Sequence, residues 1–318
     1  MTPFPNLIGQ PQAIELLTSA ITQNRIAPAY LFAGPHGVGR SLAARHFATL
    51  LLAPPPRTGN APVLAPPPPP RLQQNHPDLL WVEPTYLHQG KRLSAAEATE
   101  QGLKRKSPPE IRLEQIREIA RFLARPPLEA PRSVIVIEAA ETMAEAAANG
   151  LLKTLEEPGR ATLILIAPSP DSLLPTLVSR CQRIPFRRLE PTALTQVLTQ
   201  AHPEILQHPE ILALAQGSPG EAIAQWQQIQ AIPPELLTAT TALPKSPRQA
   251  LSLARQITQE LDTESQLWLL DYLQHHYWNT QRNPTPLEPL EKARRYLLQY
   301  VQPRLVWEVT FLKMIRAH

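Results

Sequence analysis

Two stretches of the chain are apolar at every position, Val134-Ile135-Val136-Ile137 and Leu163-Ile164-Leu165-Ile166, the second entered through Thr162. An uninterrupted aliphatic run of this length is how a strand covered on both faces reads, and such strands belong to parallel sheets. Between them the period changes. Ala147, Leu151 and Leu155 recur every four residues, Thr142-Met143-Ala144-Glu145 has the Thr-x-x-Glu form of a capping box, and Pro158 stops the pattern. Strand, helix and strand in this order predict one βαβ crossover. Around it, residues 29–33 and the segment 76–84 read as further strands. Helices are predicted over 11–23 and 42–52, and along Leu113, Ile116, Ala120 and Leu123, where Pro126-Pro127 ends the last.

After Phe186 the pattern is helical throughout. Helices over 191–200 and 209–216 precede the break Gly217-Ser218-Pro219-Gly220, and another follows at 221–229. Pro233-Pro234 marks a hinge, and 249–261, 265–278, 287–301 and 304–316 predict a helical bundle. In the last of these, Leu305, Val309, Leu312 and Ile315 form one apolar stripe behind Pro303, a residue that favours helix entry. The expectation is an α/β domain over 1–187, a small helical domain over 188–232 and an all-α domain over 233–318.

Composition sharpens this picture at a few places. Of the 38 prolines, Pro54, Pro55, Pro56, Pro62 and the run 66–70 crowd one segment, which predicts an extended surface insertion over 53–70. Residues 88–109 are polar, contain Lys104-Arg105-Lys106 and read as a second, mobile insertion. No apolar run reaches about 18 residues, so no membrane span is expected. The first residues show no basic stretch followed by an apolar core, which points to the cytoplasm rather than secretion. A single cysteine, Cys181, excludes an intrachain disulfide and any multi-cysteine zinc site. A net charge of +4 permits contact with a polyanion without requiring it.

The candidate chemistry lies between strand 29–33 and helix 42–52, in Gly34-Pro35-His36-Gly37-Val38-Gly39-Arg40-Ser41. In a phosphate-binding loop, glycines let backbone N–H groups curl around phosphate oxygens at a helix N-terminus. A lysine reaches the terminal phosphates, and Ser or Thr holds magnesium. Gly34, Gly39 and Ser41 fit. Arg40 takes the lysine position, and a wide planar fork is not equivalent to a compact ammonium.

The run Asn149-Gly150-Leu151-Leu152-Lys153-Thr154-Leu155-Glu156-Glu157-Pro158, followed by Ser179-Arg180-Cys181, carries a resemblance. With the glycine loop, the Leu7-Ile8-Gly9-Gln10 lead-in and His76-Pro77-Asp78, it closely resembles the clamp-loader branch of the AAA+ family. Within that branch it looks most like the delta-prime subunits of bacterial DNA polymerase III. The resemblance implies a RecA-like parallel sheet with flanking helices, then a small helical lid and a C-terminal all-α bundle that serves as an oligomerisation collar. It also implies an arginine finger: Arg180 would act in trans on the ATP site of a neighbouring subunit. Glu138 stands at the family's metal-binding acid, but the following position, its catalytic Glu, is Ala139. The sensor arginine of the helix after Gly217-Ser218 is missing, as are the four zinc cysteines that many relatives carry near the proline-rich segment.

The expectation is therefore an accessory subunit of the DNA-directed DNA polymerase holoenzyme without ATPase activity of its own. Gly34, Gly37, Gly39, Arg40, Ser41 and Glu138 would form a degenerate nucleotide site, with no ATP cofactor, no zinc and no other metal. The partners implied are the delta and tau/gamma subunits and, through the complex, the sliding clamp and primed DNA. Three other readings stay open: a tau/gamma-type ATPase motor that tolerates Arg40, a DNA-binding protein acting alone, and an Arg180 that merely pairs with Glu190 or another acid at the domain edge.

Overall fold

The computed structural model describes residues 3–53, 76–100, 108–281 and 286–316. The chain divides into two compact units, Met1–Val197 and Leu198–His318. Most of the proline-rich insertion, 54–70, and the basic Lys104-Arg105-Lys106 cluster lie outside the described residues.

The first unit is built on five parallel strands: β1 (Ala29–Ala33), β2 (Leu79–Val82), β5 (Ser133–Ile137), β6 (Ala161–Ala167) and β7 (Gln182–Pro185), in the order β2-β5-β6-β1-β7. The register sets Ile135 beside Leu163 and Leu31 beside Leu165. Successive residues of a strand face opposite sides of the sheet, and here both sides are covered. Leu31, Ile135, Ile137, Leu163 and Leu165 pack with α4 (Leu113–Leu123), α5 (Glu145–Glu156) and α6 (Pro175–Val178). Residues of the other parity meet α2 (Arg40–Leu52), whose Phe47 ring lies edge-on to Tyr30 at 5.0 Å. The predicted crossover is present as β5-α5-β6. Its capping box is not. Thr142 lies in a short 3-10 turn and its hydroxyl donates to the Ala139 carbonyl at 2.8 Å, while α5 opens at Glu145 with no side-chain cap.

Within the segment read as a mobile insertion, the described residues 88–100 carry regular structure that their polarity does not predict. β3 (Tyr86–His88) and β4 (Lys91–Leu93) form an antiparallel hairpin, and α3 (Ala95–Glu100) follows. At the N-terminal side α1 (Pro11–Thr22) buries Ala13, Leu17 and Ala20.

α7 (Pro191–Ala201) runs across the boundary between the units. The second unit holds α8 (Pro209–Ala215), α9 (Pro219–Ala231), α10 (Pro234–Thr241), α11 (Pro247–Glu260), α12 (Thr263–Gln281), α13 (Leu287–Leu298) and α14 (Pro303–Arg316). Proline at the first helical position is a recurrent start signal here, since its missing N–H would be unpaired there in any case. Ser218 and Ser246 add side-chain caps, accepting from the N–H groups of Glu221 and Gln249. The core of this unit is centred on Trp307, Phe311, Tyr277, Leu269 and Leu273. Its buried polar groups are paired: Trp307 Nε1 donates to Gln266 Oε1 at 2.9 Å and the Tyr277 hydroxyl to the Thr240 carbonyl at 2.6 Å.

Candidate functional site

β1 lies between β6 and β7, yet the chain leaves it for β2 at the far edge of the sheet. Beside such a switch in strand order, the carboxyl ends of the strands leave a crevice that loops can line. The loop after β1 is shaped for close packing. At Gly34 a Cβ would stand 2.3 Å from the Phe186 carbonyl oxygen, so only glycine lets the end of β7 approach. Gly39 has φ +102°, a left-handed conformation natural to glycine, and it opens α2 with no side-chain cap. Gln10, buried at the start of α1, ties the parts together. Its Nε2 donates to the carbonyls of Val38 (3.2 Å) and Arg187 (2.7 Å), and its Oε1 accepts from the Arg187 N–H at 3.1 Å.

Arg40 is only 6% exposed, although it carries a full charge at the first position of α2. Its Nη2 lies 3.2 Å from His36 Nδ1, and its Nη1 is buried with no hydrogen-bond partner. Burial draws its pKa below the ordinary arginine value, opposed by the carboxylates of Glu141 and Glu138. The Ser41 hydroxyl donates to Glu138 Oε1 at 2.6 Å. Burial raises the Glu138 pKa, against the Ser41 hydrogen bond and the charge of Arg40. Glu141 Oε2 is a second buried polar atom without a hydrogen-bond partner. Arg40, Ser41 and Glu138 thus come together at the head of α2, beside the loop that holds Gly34, Gly37 and Gly39.

The chemistry open to this set is limited. Nη1 and the uncapped N–H groups at the head of α2 are donors suited to a phosphate group, and Ser41 with Glu138 is a hydroxyl–acid pair of the kind that holds magnesium. At the position after Glu138, Ala139 presents a methyl group, which can neither accept a proton nor orient water, on a backbone turned left-handed at φ 47°. Sequence reasoning passed over three contributors. Gln10 lay inside the recognised lead-in, Glu141 follows Glu138 by three positions at the strand end, and His36 sits within the loop itself.

Arg180 forms a separate cluster just past α6. Its Nη2 donates to Glu156 Oε1 at 2.8 Å and its Nη1 to the Thr176 carbonyl at 3.0 Å. The acid is Glu156, at the C-terminal end of α5, and not Glu190. Both side chains are substantially exposed, 38% for Arg180 and 52% for Glu156, so the pair contributes only about 0–1 kcal/mol to stability. Neighbouring Cys181 packs against the sheet core, and burial pushes its thiol up to about 11, which makes it a packing residue rather than a nucleophile. Asp78 is likewise structural: its buried carboxylate accepts the N–H groups of Leu128, Glu129 and Ala130 at 2.7, 2.8 and 2.7 Å. Among the described residues, no group of three or more His, Cys, Asp or Glu side chains is gathered to hold a metal ion.

Comparison with known proteins agrees with this geometry. Residues 9–190 match the family described as DNA polymerase III, delta subunit, and residues 192–314 match the cyanobacterial DNA polymerase III delta prime, C-terminal domain. The DNA polymerase III subunit delta' of Bacillus subtilis is 33% identical over 193 residues, 60% of this chain and 51% of that protein. Its counterpart in Pseudomonas aeruginosa is 34% identical over 198 residues, 61% of this chain and 54% of that protein. The chain thus spans about half the length of these relatives. A DNA polymerase III gamma subunit-related protein from Thermotoga maritima superposes with a TM-score of 0.55 at 17% identity, covering 96% of this chain and 99% of that one, which shows a shared fold. The model over 9–190 covers more than half of the chain and the delta prime model most of the rest, and the chain belongs to the DNA polymerase III delta-prime family.

Proposed function

We propose that this chain is a clamp-loader subunit that does not hydrolyse ATP and lends Arg180 to the ATP site of a neighbouring motor subunit. The observation that carries the first half is Ala139: next to a hydroxyl–acid pair able to hold a metal, no carboxylate occupies the water-positioning place. The second half is supported by Arg180, an exposed cation that the fold presents at its surface and that contributes little to stability there. An arginine supplied in trans stabilises charge on the transferring phosphoryl group and is worth roughly 10³–10⁵ in rate. That gives a subunit without its own turnover a reason to hold one guanidinium outward. The partners in this reading are the delta and tau/gamma subunits. Sliding clamp and primed DNA are reached through the assembled loader, which works in the cytoplasm. Among the described residues no helix is long and apolar enough to cross a membrane.

Arg180→Ala tests the reading. The variant should fold, keep its melting temperature within about one degree and enter the reconstituted loader, because an exposed ion pair adds little to stability. ATP turnover by the loader should fall by the share of the site that Arg180 faces. A variant that melts several degrees early, in a loader with full ATPase activity, would make Arg180 a structural ion-pair partner and end the finger reading.

A further inference from the structure

The guanidinium of Arg180 is gripped from two elements at once: Nη2 by the Glu156 carboxylate at the end of α5, and Nη1 by the Thr176 carbonyl in α6. We propose that Glu156 is the positioning residue of the finger, a carboxylate that fixes the direction of the Arg180 head before a neighbour's phosphate meets it. This rests on the finger reading and adds a second residue to it.

A long arginine side chain at a surface ordinarily samples many rotamers, and a cation that must meet a phosphate loses rate with each orientation it has to search. Two anchors on different elements bias the head toward one orientation. Of the five guanidinium N–H groups, the two contacts named here use two, so the fork keeps donors for an incoming phosphate oxygen while it stays held. The exposure of both partners matters as well. In solvent the attraction is weak enough for the head to shift onto a phosphate, whereas a buried carboxylate would keep it. Covalent continuity supports the assignment. Glu156 ends α5 directly before Glu157 and Pro158, and the proline cannot continue the helix, so the carboxylate is fixed at a helix terminus rather than at a swinging loop tip.

The experiment compares four chains in the reconstituted loader: unmodified, Glu156→Gln, Arg180→Ala and the double variant. ATPase kcat and KM are measured for each, together with ¹⁵N relaxation of the Arg180 Nε–H in the isolated chain. If Glu156 positions the finger, Glu156→Gln mobilises Nε–H and removes most of the kcat difference between the unmodified and Arg180→Ala loaders. KM for ATP stays unchanged, and the double variant is no slower than Arg180→Ala alone. Full kcat for Glu156→Gln beside a reduced kcat for Arg180→Ala overturns the positioning role and leaves the finger standing. Equal kcat in the unmodified and Arg180→Ala loaders overturns both. A double variant slower than either single one shows Glu156 acting independently of Arg180, which also overturns the proposal.

Discussion

At position 40, one change of head group alters what the loop can do. A lysine would reach a terminal phosphate as a point charge, but Arg40 is buried, leans on His36 and leaves Nη1 unpaired, with Glu138 and Glu141 supplying the compensating charge. Arg40→Lys should therefore restore the shape of a phosphate loop without creating an ATPase, because Ala139 is untouched. Phosphate release by the isolated variant should stay at background, and a turnover near about 1 s⁻¹, the low end for phosphoryl-transfer enzymes, would show that the missing carboxylate has been misplaced. His46, one helix face away on α2, bears on stability instead. Both of its ring nitrogens are buried, and its ring lies edge-on to Phe4 at 6.4 Å. Burial lowers its pKa below the ordinary 6.5, against a smaller opposing pull from the Pro5 backbone. A folded pKa below the unfolded one means that the unfolded chain takes up the proton first. Its contribution is thus complete above 6.5 and is lost as the pH falls from there through the folded value. His46→Leu should melt with a smaller difference between about pH 7.5 and about pH 5.5 than the unmodified chain. Part of the slope will remain, since burial lowers the pKa of His275 and His276 in the second unit too. An unchanged slope would mean that His46 is protonated without cost.

Among the elements, the parallel strands were legible because burial on both faces leaves no polar position to confuse the period, and β5 and β6 extend the predicted runs by only a residue or so at an end. The hairpin β3-β4 was missed for the opposite reason: its burial pattern is largely exposed, so hydrophobic period carries no signal. Its turn did carry one. Gln89 and Gly90 both have positive φ, 48° and 77°, as two-residue hairpin turns require. Thr142 shows the limit of a short motif, since the same Thr-x-x-Glu spacing arises where a 3-10 turn intervenes and the hydroxyl bonds back to Ala139. His76-Pro77-Asp78 was legible as a turn but not as an anchor, because the partners Leu128, Glu129 and Ala130 lie far along the chain. Asp78→Ala leaves three N–H groups without that acceptor. The segment they belong to is partly solvated, so the expected loss in chemical denaturation is about 1–2 kcal/mol, less than three fully buried bonds would give. Burial alone would raise the Asp78 pKa, but the three backbone bonds outweigh it and hold the value below the ordinary 3.8. Its contribution is thus present above that value and lost as the pH falls through the folded one. The difference between the unmodified chain and Asp78→Ala should narrow in strong acid, and a constant difference would assign the loss to packing.

For the molecule as a whole, each unit has its own core, yet the second carries more apolar surface than that core uses. On α14 the buried apolar residues are Val306, Trp307, Phe311 and Met314, whereas Leu305 is 50% and Val309 39% exposed. The stripe of Leu305, Val309, Leu312 and Ile315 read from the sequence therefore divides. Leu312 and Ile315 lean on the core, and the first two look outward with Tyr296, Leu298 and Tyr300. A sequence shows that a helix is apolar on more than one side but not which side its own fold covers. The same gap kept Glu156 and Arg180 apart until the structure paired them, because 24 residues separate them in the chain. An apolar cleft of about 180 Å³ lies along this face, between Lys292 and Lys313. Grouped exposed hydrophobics at a protein surface mark contact surfaces, which fits the proposed collar role of 233–318. Leu305→Lys with Val309→Lys adds two charges where two lysines already stand, without touching Trp307 or Phe311. The double variant should keep the helical content and melting temperature of the isolated chain. If a partner helix seats on this face, its affinity for the other loader subunits should fall by about tenfold or more, which corresponds to at least about 1.4 kcal/mol. Titration with the remaining subunits reads that loss directly. Unchanged affinity in a correctly folded variant would place the assembly surface elsewhere on the second unit, and early melting would show that Leu305 and Val309 support the core despite their exposure.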